Sequence, residues 1–239
     1  MPKEKQTTYT KTSNPMMNRP VVKAELVEFM RTRQTQLTGN LKIVEDFAHE
    51  HNIPVIPHET VVYFQFLLGL IQPKKILEIG TAIGFSALVM AEAAPNSKVT
   101  TIERNPEMAE LAKENFAKFD KKNQIKLLEG DASEFLTELS ETYDVVFMDS
   151  AKSKYVEFLP QVLTNLSENG IIVMDDIFQS GEILLPIEQI KRNQRALERG
   201  LRKLFDEVLA NPAYLSTILP LGDGLLMIKK SSVMKNNEY

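Results

Sequence analysis

The sequence predicts a single α/β domain: a doubly wound, mostly parallel sheet of seven strands, with helices on both faces and an antiparallel hairpin at its C-terminal end. Three observations carry this. From Lys75 onward, short apolar runs alternate five times with stretches of helical periodicity, and regular strand–helix alternation builds a parallel sheet covered on both faces. The first of these units, Lys75-Ile76-Leu77-Glu78-Ile79-Gly80-Thr81-Ala82-Ile83-Gly84-Phe85-Ser86, reads as a buried strand, a glycine turn and a helix start. After its turn the apolar period changes from 2 to 3.6. Finally, Tyr214–Leu219 and Leu225–Ile228 are separated only by a Pro-Leu-Gly-Asp-Gly turn. Strands joined by so few residues pair antiparallel.

A chain of 239 residues suits one sizeable core with terminal extensions better than two domains. Residues 1–18, rich in Lys, Thr, Asn and Pro, predict a disordered tail, and 231–239 a second one. The domain spans 19–230, with residues 19–72 supplying N-terminal helices. No apolar run approaches about 18 residues and no signal peptide is evident, so a soluble, cytoplasmic protein without a membrane partner is expected. The absence of cysteine excludes disulfides, thiolate metal sites and a cysteine nucleophile. Three histidines, His49, His51 and His58, argue against a histidine-rich metal site or a Ser-His-Asp hydrolase. A net charge of −4 disfavours gross nucleic-acid binding but leaves room for a local basic face.

In chain order, helical spacing marks Val21–Arg33 and Leu37–Glu50. The two prolines of Ile53-Pro54-Val55-Ile56-Pro57 then impose an extended loop before a third helix, Glu59–Leu70. The alternating units follow: strand Lys75–Ile79 with helix Gly84–Ala93, and strand Lys98–Ile102 with helix Pro106–Phe119. Next come strand Ile125–Leu128 with helix Ala132–Leu139, and strand Tyr143–Met148 with helix Lys154–Asn165. The fifth is strand Ile171–Met174 with a long helix over Leu185–Leu209.

The first strand-to-helix turn of such a fold is where a nucleotide-like ligand sits. A dinucleotide site requires G-x-G-x-x-G, whose second glycine admits a pyrophosphate. Here the pattern is Gly80-x-x-x-Gly84, which disfavours a nicotinamide dehydrogenase and favours a nucleoside without pyrophosphate, such as S-adenosylmethionine. Glu103, about twenty residues on at the end of the second strand, is placed to accept ribose hydroxyls. Gly130-Asp131-Ala132 follows the third strand, where the adenine edge would lie. The bland alternative makes the glycines turn formers and Glu103 a solvated side chain.

Asp149 ends the fourth strand, and Asp175 and Asp176 end the fifth. On adjacent strands these three carboxylates converge and repel unless a cation offsets them. The all-oxygen set suits Mg²⁺ or another divalent cation, although a single Asp could equally be a helix N-cap. Lys152, three residues past Asp149, reads as a base if a neighbouring metal disfavours its ammonium form, or as a solvated lysine at a helix start. Arg192, Arg195, Arg199 and Arg202, at spacings of 3, 4 and 3, line one face of the expected long helix. Such a row follows a phosphate backbone, or is simply solvated.

Leu77-Glu78-Ile79-Gly80-Thr81-Ala82-Ile83-Gly84-Phe85-Ser86, Met148-Asp149-Ser150-Ala151-Lys152-Ser153-Lys154-Tyr155 and Val173-Met174-Asp175-Asp176 together resemble the divalent-metal-dependent O-methyltransferases of the catechol and caffeoyl-CoA type. The resemblance runs from about Val21 to Lys230. Within that family the chain is most similar to the bacterial branch that methylates 5-hydroxyuridine at the tRNA wobble position, through the Ile53–Glu59 loop and the block from Arg199-Gly200-Leu201-Arg202 to Leu221-Gly222-Asp223-Gly224-Leu225. It implies the class I methyltransferase sheet and a homodimer. It implies that Ile56, Glu78, Gly80, Ser86, Glu103, Asp131, Ala132 and Asp149 contact S-adenosylmethionine. It also makes Asp149, Asp175 and Asp176 the ligands of Mg²⁺ or another divalent cation, and Lys152 the catalytic lysine. The family commonly has Asn where this chain has Asp176. Ser150 and Ala151 replace bulkier residues of the catechol enzymes, which opens the mouth to a larger acceptor.

The expected reaction is metal-assisted methyl transfer to the 5-hydroxyl of 5-hydroxyuridine in tRNA, with Arg192, Arg195, Arg199 and Arg202 as contacts for the nucleic acid. The alternatives are a small catechol or hydroxycinnamoyl-type acceptor, and a catalytically silent nucleoside-binding protein.

Overall fold

The structure, a computed structural model, describes residues 23–231. The tail expected over 1–18, and all but Ser231 of the C-terminal one, lie outside the described residues. Three helices lead in: α1 (Ala24–Arg33), α2 (Gly39–Glu50) and α3 (His58–Ile71). The five alternating units are β1 (Lys75–Ile79), α4 (Phe85–Ala93), β2 (Lys98–Glu103), α5 (Pro106–Phe119), β3 (Ile125–Glu129), α6 (Ala132–Glu138), β4 (Tyr143–Met148), α7 (Tyr155–Thr164) and β5 (Leu166–Met174), followed by α8 (Arg195–Val208). The hairpin β6 (Tyr214–Leu219) and β7 (Leu225–Lys230) closes the chain.

The sheet has seven strands in the order β3-β2-β1-β4-β5-β7-β6. The first five are parallel, and β7 runs antiparallel between β5 and β6. Side chains alternate between faces along each strand, and the core divides accordingly. Ile76, Val145 and Phe147 face α2, α3 and α4, whereas Leu77, Val146 and Met148 face α6, α7 and α8. No helix among the described residues is long and apolar enough to cross a membrane.

The fold matches the expected sheet, and the main departure lies between β5 and α8. The long helix expected over 185–209 begins only at Arg195. Before it the chain forms 3-10 turns at Gln179–Leu184 and Ile187–Gln189, and Ile190 is extended and buried. Carbonyl groups that a helix ladder would satisfy are taken by arginines instead. Arg195 donates to Ile190 O and Glu188 O, both at 2.9 Å, and Arg202 donates to Ile183 O at 3.1 Å and to Leu185 O. The segment is thus strapped onto α8 by two arginine side chains of that helix. β5 also begins five residues before the expected Ile171, its pairing with β4 shifting register between Tyr143 and Val145.

Candidate active site

In this sheet the order of strand addition reverses between the parallel neighbours β1 and β4, and ligands of open α/β sheets bind outside the carboxyl ends of the strands at that point. The segments leaving the strands stay in register there. Gly80 N donates to Ile102 O at 3.0 Å, Asp149 N to Ile79 O at 2.9 Å and Asp175 N to Met148 O at 3.0 Å. Gly80, at φ +108°, is required by this proximity: a Cβ would lie 2.8 Å from Asp149 O and from Ser150 Cβ.

A cleft of about 540 Å³ opens over these strand ends, within the range of roughly 300–1,000 Å³ typical of small-molecule sites. Ile56, Gly80, Ser86, Glu103, Asp149, Lys152, Asp175 and Asp176 all line it. Asp131 and Ala132 line an adjoining recess of about 80 Å³, whose wall shares Gly80, Glu103 and Ser150 with the cleft. The Asp131 side chain caps α6 by accepting from Ser133 N and Oγ, and those bonds hold its carboxyl below the usual range.

Glu78 lies elsewhere. It is fully buried behind the turn and lines neither cavity. Its carboxyl accepts from Ser86 Oγ and Thr101 Oγ1, both at 2.5 Å, and so ties β1 to α4 and β2. Burial, aided by the charges of Asp149 and Glu103, pushes its pKa up to about 7. Glu103, by contrast, is committed to the backbone, one oxygen accepting from Ala82 N at 2.8 Å and the other from Asn105 N at 2.7 Å. Its remaining lone pairs are free for a ligand hydroxyl. The half of the cleft that the sequence leads one to expect as the methyl-donor side, its donor half, is therefore a turn preorganised by two carboxylates.

The other half is charged. Lys152 Nζ sits 3.1 Å from Asp149 Oδ1 and 2.9 Å from Asp176 Oδ2. Burial works against the Lys152 ammonium, but the two carboxylates outweigh it and raise its pKa. Among these side chains alone the Lys152 ammonium is favoured; the expected role as a base is tied to a neighbouring metal ion. Burial first, then Asp149 and Asp176, push Asp175 up to about 8, and Asp149 is also raised, chiefly by burial. One ammonium thus faces three carboxylates. As the side chains stand, no group of three or more His, Asp or Glu among the described residues is arranged as a metal cage. The donor chemistry, hard oxygens in excess of positive charge, still suits a divalent cation.

Of the arginine row, Arg195, Arg199 and Arg202 lie on α8. Arg192 precedes α8, Arg195 and Arg202 are spent on the 183–190 carbonyls, and none of the four lines the cleft. Arg192 and Arg199 remain exposed. The cleft also uses residues that motif reading passed over. Asn105, whose side chain caps α5 ahead of Pro106, and Met108 line its donor half; the Asn-Pro helix start was the available signal.

Residues 35–231 match the family model described as O-methyltransferase. The chain belongs to the O-methyltransferase family. Among curated relatives, a catechol O-methyltransferase of Niastella koreensis is 30% identical over 164 residues, covering 66% of this chain and 72% of the relative. A caffeoyl-CoA O-methyltransferase of Populus trichocarpa is 26% identical over 190 residues, covering 76% of this chain and 77% of the relative. Among solved structures, the SAH-bound Podospora anserina methyltransferase PaMTH1 superposes with a TM-score of 0.76 at 25% identity, covering 87% of this chain and 95% of that one. The seven-stranded sheet is the class I methyltransferase architecture.

Proposed function

We propose that this enzyme transfers the methyl group of S-adenosylmethionine to a hydroxyl of an acceptor bearing two adjacent oxygens, on the catechol and caffeoyl-CoA pattern. The observation that carries the reading is one continuous cleft with a preorganised glycine turn on one side and the Asp149–Lys152–Asp176 cluster on the other. Gly80, Ile56, Ser86 and Glu103 would hold the donor, with Asp131 and Ala132 at its adenine end, and Glu78 supports them from behind. Asp149, Asp175 and Asp176 would hold Mg²⁺, which when bound lowers the pKa of an acceptor hydroxyl and offsets the excess negative charge.

The protein's own contribution is positional and electrostatic. Its carboxylates fix the Lys152 ammonium at the acceptor side, where it donates to the acceptor oxygen once the hydroxyl proton has passed to solvent water; that oxygen attacks the methyl carbon as the carbon–sulfur bond breaks and S-adenosylhomocysteine leaves. The apolar wall from the 53–57 loop excludes water from the methyl donor. No covalent intermediate with the protein is needed.

A second reading keeps the chemistry and changes the acceptor to 5-hydroxyuridine in tRNA, whose 5-hydroxyl and 4-carbonyl are also adjacent oxygens. The small Ser150 and Ala151 at the mouth and the exposed Arg192 and Arg199 favour it. Incubation with labelled S-adenosylmethionine and either caffeate and catechol or hydroxylated tRNA separates the two. Label in the small acceptors alone supports the first reading, label in tRNA alone supports the second, and label in neither removes both. The expected homodimer would use the exposed apolar pairs Leu26 and Phe29 on α1 and Phe66 and Leu70 on α3, with the hairpin edge at Leu215 as the alternative contact; sedimentation velocity tests it.

A further inference from the structure

Tyr155 opens α7 with its ring fully buried, directly beneath the cluster just described. Its hydroxyl lies 2.8 Å from Met148 O and 3.3 Å from Asp175 O. Those two carbonyls belong to the last residue of β4 and the first residue past β5, the neighbours in the sheet that deliver Asp149 and the Asp175–Asp176 pair. Met148 O also accepts from Asp175 N at 3.0 Å. One phenol proton is therefore shared between the two strand ends at the place where the ladder stops.

The same side chain fixes the loop. Between Asp149 and Tyr155 the chain turns through Ala151, a non-glycine residue at φ +51°, and the 3-10 turn Lys152–Lys154 that carries Lys152. From behind, the loop touches α8 so closely that a Cβ on Gly200 would lie 2.5 Å from Ser153 O. Asp176, at φ +54°, is a second backbone position that favours glycine. Two strained residues flanking a charge cluster keep their geometry only where surrounding contacts over-determine it. Lys152 bridges the side chains of Asp149 and Asp176, whereas the Tyr155 hydroxyl bonds backbone carbonyls of both strand ends.

We infer that Tyr155 is a positioning residue for methyl transfer: its buried hydroxyl clamps the ends of β4 and β5 and thereby sets the spacing of Asp149, Lys152, Asp175 and Asp176. This rests on the function proposed above, but its first test does not need turnover. Tyr155→Phe removes the clamp and keeps the ring. Tyr143→Phe, at the start of β4 and also buried, controls for the loss of a buried tyrosine hydroxyl. Hydrogen exchange of the peptide spanning residues 149–155 should quicken about fivefold to tenfold in Tyr155→Phe, the range a single lost buried hydrogen bond produces, and stay within twofold of the parent in Tyr143→Phe. With an accepted substrate, Tyr155→Phe should lower kcat about tenfold while KM for S-adenosylmethionine changes less than twofold. Equal exchange of this segment in the two variants, or an unchanged kcat in Tyr155→Phe, overturns the assignment. A parent enzyme that methylates no acceptor removes the proposed function, while the exchange comparison still decides whether Tyr155 is the clamp.

Discussion

The two halves of the cleft are built on different physical plans. On the donor half, the turn after β1 is stitched by neutral hydrogen bonds and by carboxylates that accept from the backbone: Glu78 with Ser86 and Thr101, Glu103 with Ala82 and Asn105. On the acceptor half, three carboxylates and one ammonium are brought together by strand ends, a phenol and two residues in the left-handed region. The first half can be rigid with nothing bound. The second carries uncompensated charge that a bound cation would relieve, so its order and its chemistry should depend on ions in a way the first does not.

The largest effect separating the halves should come from Asp149→Ala, which removes a carboxylate from the acceptor cluster. Turnover should fall about a thousandfold or more, while binding of S-adenosylhomocysteine, followed by calorimetry, weakens far less. Lys152→Met comes next. Losing the cation that stabilises the acceptor oxyanion should lower kcat roughly a hundredfold, with KM for the methyl donor nearly unchanged; a comparable loss of donor affinity would erase the division between the halves.

On the donor half the test is pH. Glu78 has a folded pKa raised to about 7, so its protonated form is favoured by folding. The stability this contributes is fully present below its unfolded value of about 4.3 and is lost as pH rises through about 7. Glu78→Gln keeps the shape and removes the titration. The variant should therefore gain on the parent by about 2–3 kcal/mol between pH 5 and pH 8, read as the change in urea midpoints; parallel profiles would mean that Glu78 is ionised in the fold. The smallest effect concerns the strap. Arg202→Met frees the carbonyls of Ile183 and Leu185 and should cost about 1.5–2 kcal/mol in thermal unfolding. It should also raise KM for the acceptor but not for the donor.

The donor half and the sheet were largely legible in the sequence because their signals are local. Apolar runs of five or six residues gave the strands, Gly80 and Gly84 gave the turn, and Asn105-Pro106 announces a helix start. Where legibility failed, the cause was long-range. Glu78 has the same local pattern whether it faces a ligand or lies buried behind the turn; its partners, Ser86 and Thr101, decide. The segment 185–194 has helical spacing, yet Ile190 is drawn into the core and guanidinium groups replace its helix ladder. The same contacts engage Arg195 and Arg202 of the arginine row and leave Arg192 and Arg199 exposed. At Lys152 the direction of the pKa shift depends on two carboxylates delivered by different strands; the sequence places both at one sheet edge but not their reach to the ammonium.

The central claim is that the acceptor half works as a carboxylate cluster completed by a divalent cation. It is tested most directly by methyl transfer from labelled S-adenosylmethionine to catechol and caffeate, measured with added Mg²⁺, after EDTA treatment, and after Mg²⁺ is restored. Turnover that disappears in EDTA and returns with Mg²⁺, in the parent and not in Asp149→Ala, is the predicted result. Turnover undiminished in EDTA would contradict it.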